Sequence, residues 1–492
     1  MAATPEPFDD LVTHAHDTRV VVIGGGIAGL VVALECAKVG MPVTVVEAAG
    51  VLGGTIAEDT VDGVRVDLGA TCWSTRGAVR DLVDELGLGE RVVTPRTDQT
   101  WIAGLGRGAA APVPEESVLG IPANPWDDGV RRFIGWTGAW RAYLDRLRPP
   151  LTIGKQRNLA TLVRSRMGDA VLDRIVAPLS VGRFGIAPAD VDVIVAAPGL
   201  GSALTRTGSL GGAVADLRVG APAGASVESL EGGMPRLVEA LRDRLETLGA
   251  QVVVDARVSA IVRDDEGRWA IETEPPQPGA ERPELDAADI VFVATDQQAA
   301  ERLLTPHVGA KLEARTDAEI TREIVTLVVD QPALDGAPRG AEVYAVPGSL
   351  RASGLVHQTA RWEWLARAAG RGRHVVSVAF DGPAGVLPTS GLDDADVTTM
   401  ARAEASALLG VEIRADAVRG VRRSRFALAR PASALGHAET TAAARTAIAT
   451  VPGLAAVGAW LAGSGLARVV ADARDEAERV RRTVLWGSSD AP

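Results

Sequence analysis

Three glycines at positions 24, 26 and 29, a carboxylate at position 47 and a glycine pair at positions 53 and 54 are residues whose types and spacing can do chemistry in this 492-residue chain. Gly24 suits a tight turn, Gly26 lets backbone N–H groups approach a pyrophosphate, and Gly29 lets a helix pack closely on a strand. The β-branched run Val20–Ile23 comes before them and the apolar segment 30–39 after them. Strand, turn and helix in that order aim a helix N-terminus at diphosphate charge, with Ile27 and Ala28 in its first turn. Glu35 and Lys38 are the only charged residues of this helix, so it should be covered on most sides. A second strand, Val43–Val46, ends at Glu47, with Ala48 following. A carboxylate there accepts ribose hydroxyls and repels a 2′-phosphate, which disfavours NADP.

The elements that must position these residues recur along the chain. Segment 77–86 has helical spacing, with Val79, Leu82, Val83 and Leu86 on one face. A helix is expected after Gly232-Gly233, and strands at 252–254, 258–263 and 269–274 with a hairpin turn at 264–267. A buried strand is expected at 289–295 and another at 454–460, the latter running through Gly463-Ser464-Gly465 into a helix from Leu466. Such a helix presents its positive end to a ring that gathers negative charge on reduction. The expected fold class is α/β: a Rossmann-type nucleotide-binding domain (19–88, 226–300 and 437–485), an inserted α+β substrate domain (89–125, 199–225 and 301–436) and a helical subdomain (126–198). Phe133, Trp136 and Trp140 recur at helical spacing and are assigned to the core of that subdomain rather than to a membrane-facing surface.

Composition narrows the function. A net charge of −12 excludes nucleic acid as a partner, since binding a polyanion needs concentrated Lys and Arg. Cys36 and Cys72 are the only cysteines, so no disulfide framework is expected and a cytoplasmic location is the plain reading. His14, His16, His307, His357, His374 and His437 show no ligand spacing, hence no metal. Residues 1–18 read as a disordered tail rather than a signal peptide. No segment offers 18 clean apolar residues, so no transmembrane helix is expected, and peripheral membrane contact stays open.

Leu52-Gly53-Gly54-Thr55 followed by Asp67-Leu68-Gly69-Ala70-Thr71 resembles the two-part signature of the large FAD-dependent amine oxidase and protoporphyrinogen oxidase superfamily. Within it, GGGIAG, LGGT, VDLGA, VLGIP, GGMPRLVEAL, ATDQQAAERLL, GHAETTAAAR and VGAWLAGSGL make the chain similar to the bacterial coproporphyrinogen III and protoporphyrinogen IX oxidases of haem synthesis. The resemblance implies non-covalent FAD, contacted by Gly24, Gly26, Gly29, Glu47, Gly54, Thr55, the backbone of Val258, Trp460, Gly465 and Leu466. It also implies oxidation of a tetrapyrrole porphyrinogen to a porphyrin, with dioxygen as acceptor and hydrogen peroxide as by-product.

Arg183 and Arg206 are candidates for pairing with substrate propionates, and Phe184 and Trp101 for an apolar pocket. No catalytic base is evident. The chain departs from some relatives at Asp98-Gln99-Thr100, where a basic residue would meet a propionate. Two alternatives stand beside this reading. One is a flavin amine or amino-acid oxidase or a desaturase, although the only lysines, Lys38, Lys155 and Lys311, are poorly placed for the one those amine oxidases set near the flavin. The other is a non-catalytic FAD-binding protein.

Overall fold

Short apolar runs that do not alternate build the central sheet, because parallel strands covered on both faces have no solvent side. The computed structural model describes residues 8–75, 77–97, 99–106, 108–148, 157–219, 227–275, 282–309, 320–383 and 385–486. Its five parallel strands lie in the order Gln251–Val253, Val43–Val46, Val20–Ile23, Ile290–Val293 and Leu454–Ala456. Every position of Val20–Ile23 and Ile290–Val293 is buried. All of helix Ile27–Ala37 is buried too, under helices Pro235–Thr247 and Leu466–Trp486. Glu35 survives there because Lys38, Arg474 and Arg481 surround it. The strand expected at 454–460 stops at Ala456: Gly458, at φ 131°, turns the chain into a helical turn, Ala459–Ala462.

The inserted lobe is a seven-stranded sheet in the order Val418–Leu428, Ile320–Asp330, Arg373–Pro383, Gly354–His357, Glu342–Ala345, Thr100–Ala103 and Ala110–Pro112. Only Glu342–Ala345 and Thr100–Ala103 pair in parallel. Helix Asp394–Leu409 covers one face, burying Val325, Leu327, Val343, Val376 and Val378. The opposite face turns toward the nucleotide domain.

The helical section has its own core, in which Phe133, Val163 and Ile175 pack with Leu204 and Val214. This corrects the expected boundary. Helices Leu200–Thr207 and Leu210–Val219 belong to the helical core and not to the substrate sheet, while 220–226 lie outside the described residues. Asp145 is the clasp: one carboxylate oxygen pairs with Arg166 at 3.0 Å, and the other accepts the Leu210 and Gly211 N–H groups. Both charged side chains are almost fully buried.

Two further expectations are overturned. Residues 8–17 form a helix, not a disordered tail, because Leu11 and Ala15, one turn apart, dock on the nucleotide-domain core; residues 1–7 lie outside the described residues. The aromatic run is not a single core stripe. Phe133 is buried, yet Trp136 is 65% and Trp140 60% exposed. Gly135, at φ 65° and ψ −176°, breaks the helix between them and turns the later residues outward. Trp140 meets Trp126 and Tyr143 edge-on, and Trp126 meets Trp136 and Tyr143 at a tilt, with Leu144 and Leu147 exposed beside them.

Removing one partner of a buried ion pair strands the other charge, at a cost of about 3–5 kcal/mol. Asp145→Ala should therefore lower stability to urea by about that much. A loss below about 1 kcal/mol, as for an exposed pair, would show that the clasp is idle.

Candidate active site

The carboxyl ends of the parallel strands carry a nest of loops held together by backbone contact. The Gly53 N–H donates to Gly25 O at 2.9 Å, and the Ala70 N–H to Thr55 O at 2.8 Å. A Cβ on Gly29 would lie 2.0 Å from Gly24 O, and one on Gly69 would lie 2.0 Å from Thr55 O, so these approaches exist only because side chains are absent. Around Gly26, by contrast, a Cβ would meet nothing within 4 Å. That is an open groove at a helix N-terminus. Glu47 closes one end, accepting the Gly25 N–H at 2.6 Å and the Ala49 N–H at 2.7 Å. The Ala256 N–H donates to Glu47 O and so brings the strand that begins at Val258 to the same edge.

On the other side, the Val457 N–H donates to Val293 O at 3.0 Å, which sets the turn holding Gly458 and Trp460 against Thr295. The indole Nε1 of Trp460 is buried without a hydrogen-bond partner, and the space beside Gly465 is open. A groove of bare backbone, a carboxylate at a strand end, an orphaned indole N–H and a helix N-terminus at Leu466 fit a dinucleotide that carries a redox ring. Gly24, Gly26, Ile27, Ala28 and Gly29 could hold its diphosphate, Glu47, Ala48 and Val258 its adenosine, and Gly53, Gly54, Thr55, Gly69, Ala70, Thr71, Trp460, Gly465 and Leu466 the remainder.

A cavity of about 620 Å³ opens between Leu68-Gly69, Thr71 and the uncovered face of the seven-stranded sheet. Arg183, Arg322, Tyr344, Gln358 and Ser377 supply its polar groups. Arg322 is neutralised by Asp381 through two contacts of 2.7 Å. Gln358 ties the sheet to the D-x-G-A turn, donating to Asp67 O at 3.0 Å and to Ser377 Oγ at 2.6 Å. Below the cavity floor, buried Glu342 pairs with Arg361 at 2.6 Å. Burial alone would raise the Glu342 carboxyl, but the charges of Arg361 and Arg183 outweigh it and hold the group below the usual carboxylate range.

Of the four substrate candidates, one lies in this cavity. Arg183 lines the cavity with its side chain exposed, near Tyr344, Glu342, Arg361 and Cys72. Phe184 lines a neighbouring cleft of about 700 Å³ with Leu179, Val191 and Arg468. Trp101 is misplaced as a pocket residue, because strand alternation puts it with Val343 on the helix-covered face, while Thr100 faces Glu342. Arg206 is an exposed surface residue paired with Asp216. Glu342, Tyr344, Gln358, Arg361 and Ser377 escaped sequence reasoning, although Glu342 and Ser377 are polar interruptions of apolar strands. His357 and His374, distant in sequence, meet at 3.1 Å, but no group of three metal-ligating side chains occurs among the described residues. Cys36 and Cys72 are free. Lys38 pairs with Glu35 and Glu85, and Asp98, Lys155 and Lys311 lie outside the described residues.

A nucleotide-binding parallel sheet with an inserted antiparallel lobe, whose cavity abuts the D-x-G-A turn, defines a flavin-dependent oxidoreductase. The chain belongs to the flavin containing amine oxidoreductase family, whose sequence pattern matches residues 27–481. The coproporphyrinogen III oxidase of Propionibacterium freudenreichii is 25% identical across 100% of this chain and 95% of its own. That of Mycobacterium tuberculosis is 30% identical over 50% of this chain and 56% of its own, so this match spans about half of each. A crystal structure named provisionally as a protoporphyrinogen oxidase, from Exiguobacterium sp. 255-15, superposes with a TM-score of 0.80 at 25% identity, covering 94% of this chain and 98% of that one. No helix among the described residues is long and apolar enough to cross a membrane.

Burial pushes the Asp67 carboxyl up to about 7, against an ordinary value of about 4. Between those values the folded chain holds a proton that the unfolded chain has lost, so this group makes stability fall as pH rises through the window. Asp67→Asn keeps the shape without the ionisation. Its stability relative to wild type should climb from pH 4 to pH 7 in parallel unfolding series; a pH-independent difference would show that Asp67 is already ionised in the fold.

Proposed function

We propose that this chain is an FAD-dependent oxidase that converts a porphyrinogen, coproporphyrinogen III or protoporphyrinogen IX, to the porphyrin. In the net reaction one porphyrinogen and three dioxygen molecules give one porphyrin and three hydrogen peroxide molecules, with six electrons and six protons leaving the tetrapyrrole. The observation that carries this reading is the cavity beside the D-x-G-A turn. It is walled by Leu68, Ile324, Leu355 and Val356, and contains Arg183 with no carboxylate at ion-pair distance among the described residues. Apolar walls suit a macrocycle and a free guanidinium suits a propionate. FAD, when bound, supplies the two-electron acceptor. The chain's own groups position the substrate, exclude water and hold charge. The relatives named coproporphyrinogen III oxidase support the same substrate class. Attachment of FAD is non-covalent in this reading, since the thiols of Cys36 and Cys72 are both pushed up by burial and so held as poor nucleophiles.

With coproporphyrinogen III under air, porphyrin fluorescence and peroxide should rise together, and acid precipitation should release the flavin to the supernatant. Arg183→Ala should raise KM about 10- to 100-fold, the range for loss of a charged hydrogen bond. Bleaching of the flavin by common amines without oxygen, and not by porphyrinogens, would replace this reading with an amine oxidase.

Peripheral contact with an anionic membrane forms part of the proposal. Trp136, Trp140, Leu144 and Leu147 are exposed alongside Arg132, Arg146 and Arg148, and Asp145, the only acid from 129 to 148, is buried. An apolar and cationic face on a chain of net charge −12 matches an anionic lipid surface. The protein should sediment with phosphatidylserine vesicles, less so in high salt, and Trp136→Ser with Trp140→Ser should release it. Equal recovery with neutral vesicles, or no loss in the double variant, would refute the contact.

A further inference from the structure

Two guanidinium groups and one carboxylate lie together at the base of the cavity, and the carboxylate serves only one of them. Glu342 is 7% exposed, at the start of the strand Glu342–Ala345. Arg361 NH1 donates to its Oε1 at 2.6 Å, while the Tyr344 hydroxyl at 3.2 Å and the Thr100 hydroxyl at 3.3 Å donate to Oε2. Three donors occupy the carboxylate. Arg183 lies near enough to feel the charge of Glu342 but makes no ion pair with it. Its backbone is held in place, because Gly182 fits against the Tyr344 ring so closely that a Cβ there would come within 2.3 Å of a ring carbon. Gly354 touches the same ring from the neighbouring strand. The other cavity arginine, Arg322, is spent on Asp381. The surplus positive charge of this cluster therefore falls on Arg183.

We propose that Glu342 and Arg361 form a positioning pair: by filling the carboxylate, Arg361 withholds Glu342 from Arg183 and leaves the Arg183 guanidinium for a carboxylate of an acidic substrate. The pair touches no reacting atom. The inference rests on the porphyrinogen reading for the identity of the acid, not for the geometry. Without Arg361, the nearest cation able to satisfy a buried, vacated Glu342 is Arg183, because an unpaired buried charge is strongly unfavourable. Arg183 then turns away from the cavity, and the substrate acid loses its partner.

The test is a cycle on the FAD-loaded full chain with Arg361→Gln, Arg361→Lys and the double variant Arg361→Gln with Glu342→Gln. Arg361→Gln should raise KM for coproporphyrinogen III about 10- to 100-fold, with a smaller change in kcat. Arg361→Lys should recover most of that loss, and the double variant, which has no carboxylate to capture Arg183, should return KM toward wild type. The tetramethyl ester of the same porphyrinogen has no carboxylate and should show no such pattern. The dissociation constant of coproporphyrin III, read from the shift it causes in flavin absorbance, should follow the same order without turnover. If wild type fails to oxidise any porphyrinogen while this constant still follows the cycle, the functional reading falls and the positioning pair stands. An Arg361→Gln variant that binds coproporphyrin III as wild type does, or a double variant no better than the single, overturns the pair. Should Arg361→Gln not fold, the Arg361→Lys and double variants decide the matter by the same two constants.

Discussion

The closeness with which bare backbone meets bare backbone at the carboxyl ends of the parallel strands governs the rest of this structure. Gly29 against Gly24, Gly53 against Ile56 and Gly69 against Thr55 are contacts that a single methyl group would prevent, and the Gly53 N–H is bonded to Gly25 O. They draw three stretches of chain into one nest, and the groove left at Gly26 is what remains when everything else has closed up. The D-x-G-A turn is fixed by this nest at one end and by Gln358 at the other. The inserted lobe is thereby registered to the nucleotide lobe by hydrogen bonds at both ends of a short turn, beside the apolar contact of Val61, Val64, Val66 and Leu68 with Val328, Trp362, Leu365 and Val375.

Charge placement divides the buried interior from the cavity. Asp67 apart, carboxylates drawn in from the surface are matched by cations: Asp145 by Arg166, Glu323 by Arg423, and Asp381 by Arg322. Such pairing offsets the cost of desolvation without adding much stability. The cavity departs from that pattern in having one more cation than it has carboxylates to receive it. A positive remainder in an apolar enclosure is a poor feature for a core and a good one for an anionic ligand.

The nucleotide half was legible in the sequence because its signals are local. Glycine spacing, a β-branched run and an acid at a strand end lie within about one supersecondary unit of each other. The cavity was not legible for the opposite reason. Arg183, Tyr344, Gln358 and Ser377 come from two helices and two strands distant in sequence, and no spacing rule links them. Trp101 shows how little error is needed, since one residue along a strand changes the face. Trp136 and Trp140 failed differently: the periodicity was correct, but Gly135 at positive φ interrupts the helix that the periodicity assumed. The helix 8–17 was missed because its apolar stripe is only two residues wide.

The parallel sheet is assembled from strands at 20–23, 43–46, 251–253, 290–293 and 454–456, with the inserted lobes threaded between them. Its order in space is not its order in time. A ribosome delivers the groove at Gly26 some four hundred residues before the strand and helix that flank its far side, Leu454–Ala456 and Leu466–Trp486. Helix Ile27–Ala37, apolar but for Glu35, must wait through some two hundred residues of synthesis for its first cover, Pro235–Thr247, and some four hundred for its second, Leu466–Trp486. The nascent chain thus carries an apolar helix with only part of its cover through several hundred residues of translation.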